Sequence, residues 1–276
     1  MKTAALFASF SSLAIAICHY GTALSPRTDL FRRAGGAFGY NELQGPLNWH
    51  GLNSENMLCA IGKNQSPINI VAGKIKSVKG SSFGFTAPAY LKGAEIENLG
   101  TGVQVYVNGS ATVAGKAYSL QQFHFHTPSE HHVGGEYYPM EVHFVFQGDD
   151  KSLAVIGFLI DIAGRHDSTD RLISSALRNV GDIPNAGDIT TTGALDFRGL
   201  QSHLSRSDVF TYDGSLTTPP CAEGISFNVV ASPLFVDVAT FRAVKSVIKF
   251  NSRYTQNAPG QINLVDNARN VLNGAF

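Results

Sequence analysis

Between Gln122 and His126, and again between Glu141 and Phe146, polar and apolar side chains alternate almost one for one. Side chains of a β-strand project to opposite faces with period two. Gln122, His124 and His126 therefore share one face of the first segment, with Phe123 and Phe125 on the other. In the second, Glu141, His143 and Val145 share a face against Val142, Phe144 and Phe146. Further strand-like runs, bounded by Gly, Pro and Asn, fall at 68–71, 83–86, 94–98, 102–108, 117–126, 140–147, 153–161 and 225–231. Two stretches carry helical spacing. Ser168 to Val180 places Leu172, Ile173, Ala176 and Leu177 on one stripe, and Val236 to Phe250 places Phe241, Val244, Val247 and Ile248 on another. The stretch before Leu58 is turn-rich. Strands joined by short turns favour an antiparallel or mixed sheet over βαβ units. The pattern predicts a mainly β single domain on one large, mostly antiparallel twisted sheet with a few peripheral helices.

Composition narrows the setting. Lys+Arg and Asp+Glu balance at 21 each, for zero formal net charge, so there is no basic field to attract nucleic acid. Met1-Lys2 followed by the apolar run Ala4 to Ile17 predicts a signal peptide over 1–23, with Gly21 and Ala23 as the small residues before the cut. That run is shorter than the ~20 residues of a spanning helix, so no membrane span is expected after cleavage; the alternative is an uncleaved anchor. Arg32-Arg33 is either a dibasic processing site, making 24–33 a short propeptide, or an incidental basic pair. Cleavage would remove Cys18 and leave Cys59 and Cys221, which can pair in an oxidising compartment; the alternative is two buried thiols. Sequons stand at Asn64 and Asn108, the first made the poorer acceptor by Pro67. A secreted, extracellular protein is expected, with wall association left open.

If the two alternating segments pair in one sheet, His124, His126 and His143 converge. A single His-x-His is more often an ordinary strand; a third histidine of matching parity, two residues after Glu141, points to a metal. Three neutral imidazoles leave the fourth position of tetrahedral Zn²⁺ open to water. Gln122 and Glu141, each two residues before a ligand, are placed to hold the rings.

At this point the chain resembles the α-class carbonic anhydrases. The matching pieces are Gln65-Ser66-Pro67-Ile68-Asn69-Ile70, Gln122 to His126, Ser129-Glu130-His131, Glu141 to Val145, Leu153-Ala154-Val155-Ile156-Gly157 and Leu216-Thr217-Thr218-Pro219-Pro220, in the family's order. The short connection from His126 to His131 is similar to those of bacterial, plant and fungal members. The resemblance implies a catalytic domain over 34–276 that reversibly hydrates CO₂ to bicarbonate and a proton, by attack of zinc-bound hydroxide. Carbonic anhydrase is the standing example of a metal making that nucleophile at neutral pH. It implies Zn²⁺ on His124, His126 and His143, with Thr217 accepting a hydrogen bond from the hydroxide and Glu130 accepting one from Thr217. Thr217, Thr218, Val145, Val155, Leu216, Ile225 and Phe227 would contact CO₂. Cis bonds at Ser66-Pro67 and Pro219-Pro220 are implied too, and the Cys59–Cys221 bond would tether the loop that carries Thr217.

There are departures. Thr101 stands where efficient members carry a proton-shuttling histidine, and threonine cannot relay protons near neutral pH. His50, His131 and His132 are the candidate substitutes. Phe38 and Phe227 stand where tryptophans are usual. Two rival readings remain: a catalytically silent secreted binding module of the same fold, and a zinc hydrolase. All three histidines are present, against the first; no His-Glu-x-x-His occurs, against the second, although activated esters suit a side activity.

Overall fold

The computed structural model describes residues 38–274; the signal segment and Arg32-Arg33 lie outside the described residues. In chain order come helices α1 (Trp49–Leu52) and α2 (Leu58–Ile61), then strands β1 (Asn69–Ile70), β2 (Lys76–Lys79), β3 (Glu95–Asn98), β4 (Val103–Val113), β5 (Lys116–His126), β6 (His132–Val133), β7 (Glu136–Tyr137), β8 (Met140–Gln147) and β9 (Leu153–Ile162). Helix α3 (Arg171–Ala176), strand β10 (Ile189–Thr191), helix α4 (Arg198–Arg206), strands β11 (Asp208–Ser215) and β12 (Glu223–Val236), and helices α5 (Val238–Ile248) and α6 (Leu264–Leu272) complete it. Nine strands form one sheet in the order β10-β3-β4-β5-β8-β9-β12-β11-β2, and β1-β6-β7 form a small one. Only β9–β12 runs parallel in the large sheet, which makes it mixed.

Register places the chemistry. One row across the sheet reads Glu97, Gln104, His124, His143, Gly157 and Val229 by direct pairing. Beside it run Tyr106, Gln122, Val145, Val155, Phe227 and Tyr212. On this face Val145, Val155, Ile225 and Phe227 cluster with Ile68, Ile70 and Leu159, and Leu216 packs against them. The opposite face, with Phe123, Phe125, Phe144 and Phe158, buries itself against Leu172 and Ile173 of α3 and Leu200 and Leu204 of α4. A sheet apolar on both faces needs cover on both, which explains the continuous apolar run of β9.

The local expectations need correction in five places. Residues 83–86 are not a strand: Phe83 and Phe85 are both buried, giving strand-like spacing, but Gly80–Phe83 is a 3-10 turn and only Thr86 bridges, to Ser110. The helix expected over 168–180 begins at Arg171, where Asp170 caps it by accepting from Ile173 N, and ends at Ala176 before a separate turn. Helix α4 went unread because Leu200 and Leu204 are its sole buried residues, and α6 because it buries none. The polar mixture of β11 hid a strand next to the sheet edge, where it separates β12 from β2.

Candidate metal centre

His124 and His126 reach the site from β5 and His143 from β8. Their metal-binding atoms lie within 4.8 Å of one another, and all three residues are buried. Each ring spends one nitrogen on a hydrogen bond. His124 Nδ1 is 2.9 Å from Gln122 Oε1, His126 Nδ1 is 2.9 Å from the Asn251 carbonyl, and His143 Nε2 is 2.7 Å from Glu141 Oε1. Such bonds fix tautomer and ring orientation and leave the second nitrogens to converge. Among the described residues His126 Nε2 is buried with no hydrogen-bond partner, the mark of a donor set shaped for something absent from the protein itself. Burial pushes all three imidazoles below their ordinary range, His126 to about 4, so they are neutral ligands at physiological pH. Nitrogen donors, charge state and convergence all fit Zn²⁺.

Glu141 is fully engaged. Its Oε2 accepts from the backbone N–H groups of Glu130 and His131 at 2.9 and 2.8 Å, and its Oε1 meets His131 Nδ1 and His143 Nε2, both at 2.7 Å. Burial works to raise its pKa, but the two histidines outweigh it and hold the carboxylate well below the usual range. Gly157 leaves room for this: a Cβ there would sit 3.2 Å from Glu141 Oε1 and 3.3 Å from His143 Cδ2. The role of glycine at this position is thus steric.

Glu130 is buried behind the imidazoles, its Oε2 3.4 Å from His126 Nε2 and its Oε1 accepting from Arg253 N at 3.0 Å. The Thr217 hydroxyl also hydrogen-bonds this carboxylate. Burial raises Glu130 to about 7, against the pull of His143, Arg253 N–H and Thr217; a divalent cation beside it would draw it back down. Thr217 and Thr218 are buried in the loop after β11, where Cys221 N donates to the Thr218 carbonyl. Cys221 is bonded to Cys59 with Cα atoms 5.1 Å apart, so the two cysteines are not free thiols. Ser66-Pro67 and Pro219-Pro220 are cis, as is Thr127-Pro128. The apolar group expected around the site stands together on the same sheet face, with the Phe227 ring 5.2 Å from that of His143.

One of the candidate relay histidines changes meaning. His131 is fully buried with both nitrogens occupied, Nδ1 by Glu141 and Nε2 by Tyr212 Oη at 2.7 Å. Both of its nitrogens serve to brace Glu141 and Tyr212. His132 belongs to the small sheet, paired with Asn69 and Tyr137. His50 is half-buried on α1, its Nδ1 without a partner among the described residues. Thr101 lies in the turn between β3 and β4, its carbonyl 3.3 Å from Asn251 Nδ2. Of the sequons, Asn108 is exposed and Asn64 half-buried, with Ser66 fully buried.

Sequence reasoning missed Tyr212, Asn251 and Arg253. Tyr212 Oη lies 2.8 Å from Ser66 Oγ and so links His131 to the Ser66-Pro67 segment. Buried Arg253 donates to the carbonyls of Ser66 and Cys59, at 2.8 and 3.3 Å, and lies 5.7 Å from the Trp49 ring centroid. The only signal was a polar cluster, Asn251-Ser252-Arg253, after an apolar helix.

The chain is similar to known proteins over most of its length. The profile of the family described as "Eukaryotic-type carbonic anhydrase" matches residues 44–274. A "Carbonic anhydrase" of Neisseria gonorrhoeae is 37% identical over 73% of this chain and 77% of its own length, and one of Nostoc sp. is 36% identical over 80% of each. Among solved structures, the fungal alpha carbonic anhydrase of Aspergillus oryzae is 48% identical, covering 85% of this chain and 99% of its own, with a TM-score of 0.81. The alpha carbonic anhydrase of Thermovibrio ammonificans, solved with the inhibitor sulfanilamide, is 31% identical over 81% and 96%, with a TM-score of 0.71.

Proposed function

The chain belongs to the eukaryotic-type, or α, carbonic anhydrase family, a family of CO₂-hydrating enzymes, and from that premise we propose how its residues carry the reaction. His124, His126 and His143 would hold one Zn²⁺. When bound, the metal acts as a Lewis acid that makes a nucleophile from water at neutral pH. Glu130 accepts a hydrogen bond from the Thr217 hydroxyl, so the Thr217 oxygen is left to accept a hydrogen bond from the attacking oxygen and aim its lone pair. That orientation also selects against anions with no proton to give. Val145, Val155, Leu216, Ile225 and Phe227 form an apolar wall for CO₂, with Thr218 at its polar edge. Gln122 and Glu141 keep two rings in the required tautomer, and the Asn251 carbonyl does so for His126. Activated esters are a side reaction of the same centre.

What supports this reading above all is the unpartnered His126 Nε2 among three convergent, neutral imidazoles whose other nitrogens are all hydrogen-bonded. No helix among the described residues is long and apolar enough to cross a membrane, and a disulfide suits an oxidising compartment. We read residues 1–23 as a cleaved signal peptide, 24–33 as a propeptide if Arg32-Arg33 is processed, 34–276 as the catalytic domain and Asn108 as the favoured glycan site, on a secreted protein.

The deciding experiment measures zinc content and CO₂ hydration together. About one zinc per chain is expected, with hydration abolished by chelation and restored by zinc. Protein that binds zinc yet hydrates no CO₂ would favour the silent binding module, and Thr217→Ala and Glu130→Gln should each lower turnover while leaving zinc content intact.

A further inference from the structure

The sheet face opposite the imidazoles is covered by α3 and α4, and a trough opens beside them. Its main cavity, about 620 Å³, lies between the start of α3, α4 and the Pro233–Phe235 stretch of β12, with Arg171, Arg198, His203 and Arg206 in its lining. A second cavity of about 500 Å³ shares Thr169, Arg171, Leu172 and Asp196 with the first and adds Arg178.

The charge in this trough is unbalanced. Of its two carboxylates, Asp196 is gripped by Arg198, whose Nε is 3.0 Å from both oxygens, and Asp170 Oδ1 accepts from Ile173 N at 2.9 Å. Among the described residues no carboxylate pairs with Arg171, Arg178 or Arg206. All three are exposed. The chain as a whole has zero formal net charge, so this concentration is not a by-product of general basicity. Ser174 Oγ, in the second cavity, is buried without a hydrogen-bond partner among the described residues.

Guanidinium forks bind carboxylates in a planar, two-pronged fashion. Arg171 lines both cavities, Arg206 the first and Arg178 the second, so the three forks are distributed over two adjoining cavities. They suit a chain bearing an oxyanion on successive units. The hydroxyls of Ser168, Thr169 and Ser174 can exchange hydrogen bonds with a ligand that is itself rich in hydroxyls, and half-buried Phe235 offers apolar surface to a sugar ring. Nucleic acid would call for a wider basic field than a neutral chain supplies. We propose that this trough binds an acidic oligosaccharide, its uronate carboxylates taken by Arg171, Arg178 and Arg206. The site stands on the far side of the sheet from the imidazoles, so it tethers the protein to an anionic glycan without entering the reaction.

The test follows the arginine Nε–Hε NMR signals of the full chain at low ionic strength during titration with a short oligogalacturonate. Neutral malto-oligosaccharide, inorganic phosphate and an oligodeoxythymidylate serve as comparison ligands. The signals of Arg171, Arg178 and Arg206 should move with the uronate, and binding should weaken as salt is added. The double variant Arg171→Ala/Arg206→Ala should lose about ten-fold or more in affinity, with CO₂ hydration unchanged. Should that variant melt early, Arg171→Lys/Arg206→Lys keeps the charge, removes the fork and should still bind less tightly. The proposal fails if the uronate leaves those signals in place. It fails equally if malto-oligosaccharide, phosphate or the oligodeoxythymidylate binds as tightly, or if both variants bind like wild type.

Discussion

His131 and His143 meet at a single oxygen, Glu141 Oε1, each 2.7 Å away. One carboxylate therefore orients a prospective metal ligand and anchors the segment that carries Glu130. Its other oxygen takes two backbone N–H groups from that same segment. The position of Glu130 and the tautomer of His143 are thus set by one group. Replacing Glu141 by Gln puts a neutral amide where four donors now converge, so we expect zinc affinity to fall ~10–100-fold. Competition against a chromogenic chelator reads this directly, whatever the turnover. Wild-type affinity in Glu141→Gln would show that the bond orients nothing of consequence.

Proton release should limit turnover. Thr101 offers no titrating group near neutral pH, and His131 is sealed between Glu141 and Tyr212. Turnover should rise with the concentration of an imidazole-type buffer, and Thr101→His should raise it in weak buffer. Both changes should appear in kcat and leave kcat/KM for CO₂ nearly constant, because proton release follows the CO₂ encounter. Buffer-independent turnover in both proteins would direct mutagenesis to His50 and His132.

The disulfide links two distant parts of the chain at the site. Cys221 N–H holds the Thr218 carbonyl, and the Cys59 carbonyl accepts from Arg253 Nη2. Cys59→Ser/Cys221→Ser should lose ~2–5 kcal/mol of stability. Activity measured well below the new melting temperature should fall as well, through a looser Thr217. Full activity with lowered stability would confine the bond to a folding role.

Acid should destabilise the metal-free protein in a defined window. The buried imidazoles have folded pKa values below their ordinary 6.5, about 4 for His126, so the unfolded chain binds more protons as pH falls below 6.5. Each such proton removes ~1.4 kcal/mol per pH unit. Glu130 has the opposite sign: raised from 4.5 to about 7, it takes its proton first in the folded state and offsets part of the loss between those values. Glu130→Gln should therefore steepen the fall in melting temperature between about pH 6.5 and 4.5. Parallel pH profiles for the two apoproteins would contradict the buried, proton-accepting state of Glu130.

Much of this centre was legible along the chain because strand geometry is periodic. Residues two apart share a face wherever the strand goes, so the common face of Gln122, His124 and His126, and that of Glu141 and His143, followed from parity alone. Gln122 and Glu141 hold rings two residues away in their own strands, a contact that needs no tertiary information. Other features came only with the assembled sheet. The pairing of His124 with His143 is a matter of register, which one residue of slip would reverse. His126 is oriented by the carbonyl of Asn251, 125 positions later; every residue has a carbonyl, so no side-chain pattern could announce it. Adjacent His131 and His132 look equivalent in sequence, yet one is locked in the core and the other lies in the small sheet, since burial depends on what packs above a strand. The residues of this chain determined which groups share a face, and packing alone decided which of their atoms were left free to bind.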